Sequence, residues 1–375
     1  MTAALELSGS CLPAFTRVRD VFLANFREHN EVGADFALYV GGELVVELWS
    51  GFRDEAGTTP WARDTIANVF SAAKGLNGAC YAMAVDRGLA SYEDKVSDHW
   101  PEFAAGGKQD ITLGQLLSHQ SGICGFADPA TIEDLLAGER SAARLAAQTP
   151  LWEPGTACGY NTLSSGIIFT ALFRRITGMS IKQFVAENIA APLQLDLSIG
   201  VPPDQRGRIA PVIAGADQSS AGAQAPSIYQ TLANMNPQIT GSIANTEAWK
   251  DADLPSANGF ANGKGLASFY NALIVPNSPL VSRQTLAEAT RPRIEGIDLV
   301  RQAPQRWSAG FWLNPNKLSY GPNDEAFGHS GWGGSFAFAD PVAGVAVGYV
   351  MNRMTMLADR DPRRRNLIDT LYTCL

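Results

Sequence analysis

In the stretch Phe70-Ser71-Ala72-Ala73-Lys74-Gly75 a lysine follows a serine by three residues. On a helix such positions are surface neighbours, so the amine and the hydroxyl face the same way. A serine in the first turn of a helix also sits in the positive field of the N-terminus, with its own backbone N–H unpaired. These are the parts of a serine nucleophile: an amine to take its proton, and an N–H for the oxyanion that develops when the hydroxyl attacks a carbonyl carbon. The amine serves only when neutral. Bringing a lysine from ~10.4 to ~7 disfavours its charge by about 4–5 kcal/mol. The apolar neighbours Phe70, Ala72, Ala73 and Leu76 supply desolvation, which moves the pKa that way. Spacing alone is weak evidence, because 25 serines and seven lysines give about half such a pair by chance.

Other chemistries find less support. Gly328-His329-Ser330-Gly331-Trp332 begins like the G-x-S-x-G elbow, but its last position is tryptophan and a strand follows where that elbow needs a helix. Ser330 is therefore a poor nucleophile. Asn262-Gly263-Lys264-Gly265 lacks the upstream glycine and the Ser/Thr of a phosphate loop, and four scattered histidines have no H-x-x-x-H spacing. No metal and no cofactor is expected.

More of the chain agrees with the serine–lysine reading, in order. After FSAAKG come DKVSDHWPEF and ITLGQLLSHQSGI, then Gly159-Tyr160-Asn161-Thr162-Leu163-Ser164-Ser165-Gly166, and last Gly328-His329-Ser330-Gly331-Trp332-Gly333-Gly334-Ser335 before a strand. Together these resemble the S-x-x-K serine hydrolases related to class C β-lactamases and penicillin-binding proteins, over about residues 33–348. The sequence departs from the β-lactamase pattern twice: Thr162 stands where Tyr-x-Asn has asparagine, and His329-Ser330-Gly331 replaces Lys-Thr-Gly. In both it looks more like the family VIII carboxylesterases. The resemblance implies that Ser71 attacks, Lys74 takes its proton and Tyr160 relays that proton to the leaving alkoxide. It places the oxyanion between the N–H groups of Ser71 and Trp332. Gly331, Trp332 and Gly333 would border the substrate, and His329 would bond a substrate carbonyl or Tyr160. His119 reads as a structural histidine.

The elements that must position these residues form an α+β arrangement. A helix is predicted from about Pro13 to His29, then ADFALYV and ELVVELW around Gly41-Gly42, a strong hairpin signal. GSFAFADPVAGVAVGYVMN reads as two strands turning at Asp340-Pro341, and a last helix follows Pro362. The ends thus build one antiparallel sheet flanked by terminal helices, residues 1–70 and 291–375, around a mainly helical domain of residues 71–290. Within that domain residues 201–262 show weak periodicity and read as a long loop walling the site.

Composition sets the outer limits. With 46% hydrophobic and 18% charged residues the chain is globular, and a formal net charge of −8 argues against nucleic acid or an anionic membrane surface as partner. Arg363-Arg364-Arg365 reads as a solvated face. No apolar run reaches membrane-spanning length, the N-terminus lacks a signal-peptide pattern, and five scattered cysteines fit reduced thiols in a cytoplasmic protein. The expected function is a carboxylesterase acting through an acyl-enzyme on a small-molecule ester of short to medium acyl chain. A penicillin-recognising peptidase, a weak β-lactamase and an acyltransferase are the enzymatic alternatives, and a catalytically silent binding protein the non-enzymatic one. Oligomeric state is not legible.

Overall fold

The structure, a computed structural model, describes residues 6–215, 225–317, 319–357 and 360–375. Its strands in chain order are β1 (Leu7–Cys11), β2 (Gly33–Val40), β3 (Glu43–Gly51), β4 (Ile66–Asn68), β5 (Leu197–Ile199), β6 (Ile209–Ala210), β7 (Gly259–Ala261), β8 (Ile294–Ile297), β9 (Pro304–Trp307), β10 (Trp312–Leu313), β11 (Phe327–Ser330), β12 (Phe336–Asp340) and β13 (Val345–Met351). Nine strands form one sheet in the order β1-β3-β2-β13-β12-β11-β10-β9-β8, and four form a small sheet in the order β5-β7-β4-β6. The chain ends do close the large sheet: β2 pairs antiparallel with β13, Phe36 opposite Tyr349. Gly41 and Gly42 turn β2 into β3 at φ +59° and +89°, a conformation glycine takes without strain.

Side-chain size alternates along the central strands and decides what covers each face. Phe336, Phe338, Val345, Val347 and Tyr349 pack with Phe22 and Leu367, from the helices Thr16–Glu28 and Pro362–Tyr372. The intervening positions are small, Ala337, Ala339, Ala346 and Gly348, and the helix Gly263–Ile274 lies against that thin face. A Cβ on Gly348 would overlap the Gly263 carbonyl oxygen. The Asp35 carboxylate accepts the Gly263 N–H and the Trp61 indole N–H, which pins the helix start to β2.

The middle of the chain is helical; its segment TIEDLLAGERSAARLAAQ forms two helices, Ile132–Leu135 and Glu139–Ala147, separated by Gly138 at φ +57°. The helix Lys74–Asp86 is buried on every side from Lys74 to Ala84, so it carries no amphipathic stripe. Its glycines permit this, since a Cβ on Gly75 would overlap the Tyr270 hydroxyl and one on Gly78 would crowd the Phe311 ring. Residues 201–262 hold more structure than a loop, including the helices Ile228–Asn234 and Glu247–Asp251 and strands β6 and β7; residues 216–224 lie outside the described part. Strand β4, on the N-terminal side of the expected boundary at residue 70, pairs in the small sheet, and the helix Gly263–Ile274 belongs against the large one.

The arginine cluster corrects its sequence reading. Arg363 is 0% and Arg364 5% exposed, and only Arg365 faces solvent. The helix Pro362–Tyr372 starts on an Asp361 cap, which turns Arg363 inward to a buried ion pair with Glu31 at 2.9 Å.

Candidate active site

The small sheet delivers the serine. The Val69 N–H donates to the Gly259 carbonyl at 2.9 Å, and the Asn68 side-chain amide donates to the same oxygen at 3.0 Å. This anchors the end of β4 to β7. Phe70 then takes φ +44°, a left-handed conformation that is strained for a side chain of its size. Behind it one 3-10 turn, Phe70–Ala73, runs into the helix at Lys74. Ser71 ends up at the helix entrance, facing a cavity of about 760 Å³.

Lys74 is buried, and among the described residues no carboxylate pairs with it. Its Nζ lies 2.7 Å from the Thr162 carbonyl oxygen, 2.7 Å from the Ser256 carbonyl oxygen and 3.2 Å from Ser71 Oγ. Desolvation pushes the amine well below its usual range. A neutral amine has two N–H bonds and one lone pair, and the carbonyls can only accept. The two short contacts therefore take both hydrogens, and the lone pair is left for the Ser71 O–H.

Tyr160 stands across from this pair, its ring 5.0 Å from Lys74 Nζ. Burial pushes its phenol up to about 12, with the hydrogen bond to Ser71 acting the other way. Its backbone N–H is held by both oxygens of the buried Asp298, at 3.1 and 2.9 Å. Asp298 also accepts the N–H groups of Val300 and Arg301 and the Trp307 indole N–H. The Trp307 ring stacks on Tyr160 at 5.3 Å and 2°. His119, at φ +62°, meets the edge of the same pair. Its Nδ1 accepts the Asn161 N–H at 3.3 Å, and burial lowers its pKa to about 3. It is a neutral prop.

The opposite wall is the turn after β11. The Gly331 N–H donates to the Ser335 carbonyl at 2.7 Å, and the Ser335 hydroxyl donates to the Val69 carbonyl at 2.9 Å. The turn is thereby stitched to the residue before Phe70. A Cβ on Gly331 would overlap that Val69 oxygen. The Phe70 and Trp332 rings meet edge-to-face at 5.4 Å, an arrangement worth about 0.5–1.5 kcal/mol beyond burial. Among the described residues neither the Ser71 N–H nor the Trp332 N–H has an acceptor. Two unspent donors thus border the cavity, one on Ser71 and one in the turn.

Ser71, Tyr160, Gly331, Trp332 and Gly333 all line the cavity, and Lys74 touches it through Ser71. His329 does not line it. It is 3% exposed, with Nδ1 3.0 Å from the Ser330 carbonyl oxygen. A carbonyl only accepts, so Nδ1 carries the proton. Its ring lies over Tyr160 and Trp307, beneath the wall. The segment 201–262 does supply lining, through Asn234, Ile239 and Ala257. Sequence reasoning missed Ser256, whose backbone oxygen holds Lys74; Asp298 and Trp307, which hold Tyr160; and the arginines Arg301, Arg360 and Arg364 on the cavity wall. A main-chain acceptor leaves no residue-type signal, so Ser256 had none to find.

Residues 20–372 match the beta-lactamase family. The chain belongs to it. It is 32% identical over 368 residues, 94% of this chain and 84% of the relative, to the esterase/beta-lactamase LipL of Mycobacterium tuberculosis. Among solved structures it resembles a family VIII carboxylesterase at 43% identity and a TM-score of 0.93, covering 99% of this chain and 100% of that one. A penicillin-binding protein homolog from Caulobacter crescentus gives 37% identity and the same TM-score, with 99% and 100% covered. Among the described residues no group of three metal-ligating side chains converges, and no helix is long and apolar enough to cross a membrane.

Proposed function

We propose that the protein is a serine carboxylesterase that cleaves esters of short to medium acyl chains through an acyl-enzyme on Ser71. The observation that carries this is the buried amine 3.2 Å from the serine hydroxyl with both its other contacts to carbonyl oxygens. Ser71 Oγ attacks the ester carbon as its proton passes to Lys74. The oxyanion is met by the Ser71 and Trp332 N–H groups. The Tyr160 phenol, protonated throughout the neutral range, passes a proton to the departing alkoxide and is reprotonated from Lys74. A water then repeats the sequence on the acyl-enzyme and releases the acid. The esterase names of the similar proteins support the choice of ester. We read the protein as cytoplasmic, in line with five unpaired cysteines, and without a nucleic-acid partner.

The absence of a lysine in the third motif sets ester above β-lactam, since His329 in its place is turned away from the cavity. A p-nitrophenyl ester series from acetate to laurate, with nitrocefin alongside, tests the reading on wild type and Ser71→Ala. Turnover of the shorter esters, little of nitrocefin, and neither by the alanine variant is the expected result. Ester turnover that survives in Ser71→Ala returns Ser330 as nucleophile, and strong nitrocefin turnover makes the protein a β-lactamase first. No turnover and no covalent labelling in wild type leaves a silent binding protein.

A further inference from the structure

The Trp332 N–H can act as an oxyanion donor only if the glycine-rich turn around it is held still, and the turn has no side chains of its own at Gly331, Gly333 and Gly334 with which to pack. What holds it from below is the guanidinium of Arg363. One Nη2 hydrogen goes to the Gly333 carbonyl oxygen at 2.7 Å and the other to Asp361 at 2.8 Å. Nη1 reaches Glu31 at 2.9 Å and the Arg353 carbonyl at 2.8 Å, and Nε reaches Asp361 at 3.2 Å. All five N–H bonds are spent, in the planar fork that only arginine presents. The Thr355 N–H, at 2.9 Å, is the second donor on the Gly333 oxygen. A Cβ on Gly334 would strike the Arg363 guanidinium, so the turn rests directly on it. The carboxylates are themselves fixed: Glu31 accepts the Tyr349 hydroxyl, and Asp361 accepts the Thr355 hydroxyl at 3.0 Å.

We propose that Arg363 is a positioning residue for the oxyanion hole, setting the Trp332 N–H through the Gly333 carbonyl. It touches no substrate. A buried cation with two carboxylate partners serves stability poorly compared with an apolar plug, because desolvation offsets most of the Coulomb gain. Fixed geometry at the turn is what the arrangement provides. The inference rests on the esterase reading, and its test separates the two.

Arg363→Lys keeps a positive charge between Glu31 and Asp361 but gives up the fork. Gly334→Ala keeps every charged group of the cluster but sets a Cβ against the Arg363 guanidinium at a φ of +134°, which pushes the turn and its prop apart. Each is assayed on p-nitrophenyl butyrate per active site titrated with a fluorophosphonate, alongside inhibition by an alkylboronic acid, whose tetrahedral adduct on serine places an oxygen in the hole. The expected result is a fall in kcat of about 10- to 100-fold, less than the roughly 100- to 1,000-fold that follows outright removal of an oxyanion donor, with KM changed less than about threefold. Boronate affinity falls in step with kcat. If Arg363→Lys does not fold, Gly334→Ala decides alone. Wild-type kcat per titrated site with unchanged boronate affinity overturns the proposal, because a residue that only stabilises the fold changes the number of active sites and not their rate. Failure of the esterase reading shows separately, as wild type that neither labels nor turns over.

Discussion

The two walls of the cavity meet at Phe70 and Trp332 and are built from opposite materials. In the proposed mechanism the serine wall works with side chains: Ser71, Lys74 and Tyr160 are held by main-chain carbonyls and by a buried carboxylate. In the same proposal the turn wall works with a main-chain N–H, and it is held by side chains, Ser335 to Val69 and Arg363 to Gly333. The comparison teaches where selection of residue type acts. On the serine wall the reacting atoms demand particular residues, whereas on the turn wall the demand is for glycines where a Cβ would collide and for a prop whose identity is set far away in the chain.

Substitutions break this symmetry unequally. The largest loss is expected on the serine wall. Lys74→Met removes the proton acceptor while filling the same buried slot, and kcat/KM for a short p-nitrophenyl ester should fall about 10³-fold in steady-state assays, with the protein still folded by circular dichroism. Retention of activity within tenfold would mean another base serves Ser71. On the turn wall Gly331→Ala forces the Val69 carbonyl and the Ser335 hydroxyl apart. A loss of about 10²-fold, mostly in kcat, is expected, together with a lower melting temperature by differential scanning fluorimetry. An unchanged kcat would show that the two walls need not be in register.

The smallest effect sharpens the contrast without a mutation. Burial holds Lys74 well below its ordinary value, so the protonated, inactive amine gives way to the neutral base at a lower pH than for a free lysine. The kcat/KM profile should therefore rise with pH through that lowered pKa, not near ~10.4. Tyr160, pushed up to about 12, keeps its proton until strongly alkaline pH, and His119, at about 3, adds no limb of its own near neutrality. A profile that stays flat and low until pH 10 would mean that the lysine is charged in the folded protein.

The same contrast explains what the sequence disclosed. Ser71, Lys74, Tyr160 and the glycine turn, which the fold brings together, stand out in the sequence by residue type and order, and the adjacent strands β3, β2, β13 and β12 were legible because period-2 runs and Gly41-Gly42 mark them. The small sheet was not, since β4, β5, β6 and β7 are two or three residues long and too short to show a period. The helix Lys74–Asp86, buried all round, offers no stripe to read. Arg363 was misread for a related reason. Three arginines in a row look solvated until Glu31, more than 300 residues away, supplies the partner that brings one inside. Asp298 lies 138 residues from the tyrosine it holds, and Trp307 a little farther. Residues whose role is to support others are specified by three-dimensional neighbours, and one chain without its fold does not name them.

The most direct measurement is to treat the folded protein with a fluorophosphonate at neutral pH and map the adduct by peptide mass spectrometry, in wild type and in Lys74→Met. The expected adduct is one per chain, on Ser71, forming at least a hundredfold more slowly when Lys74 is gone. An adduct on Ser330, or labelling of Ser71 that is indifferent to Lys74, would contradict the account at its centre.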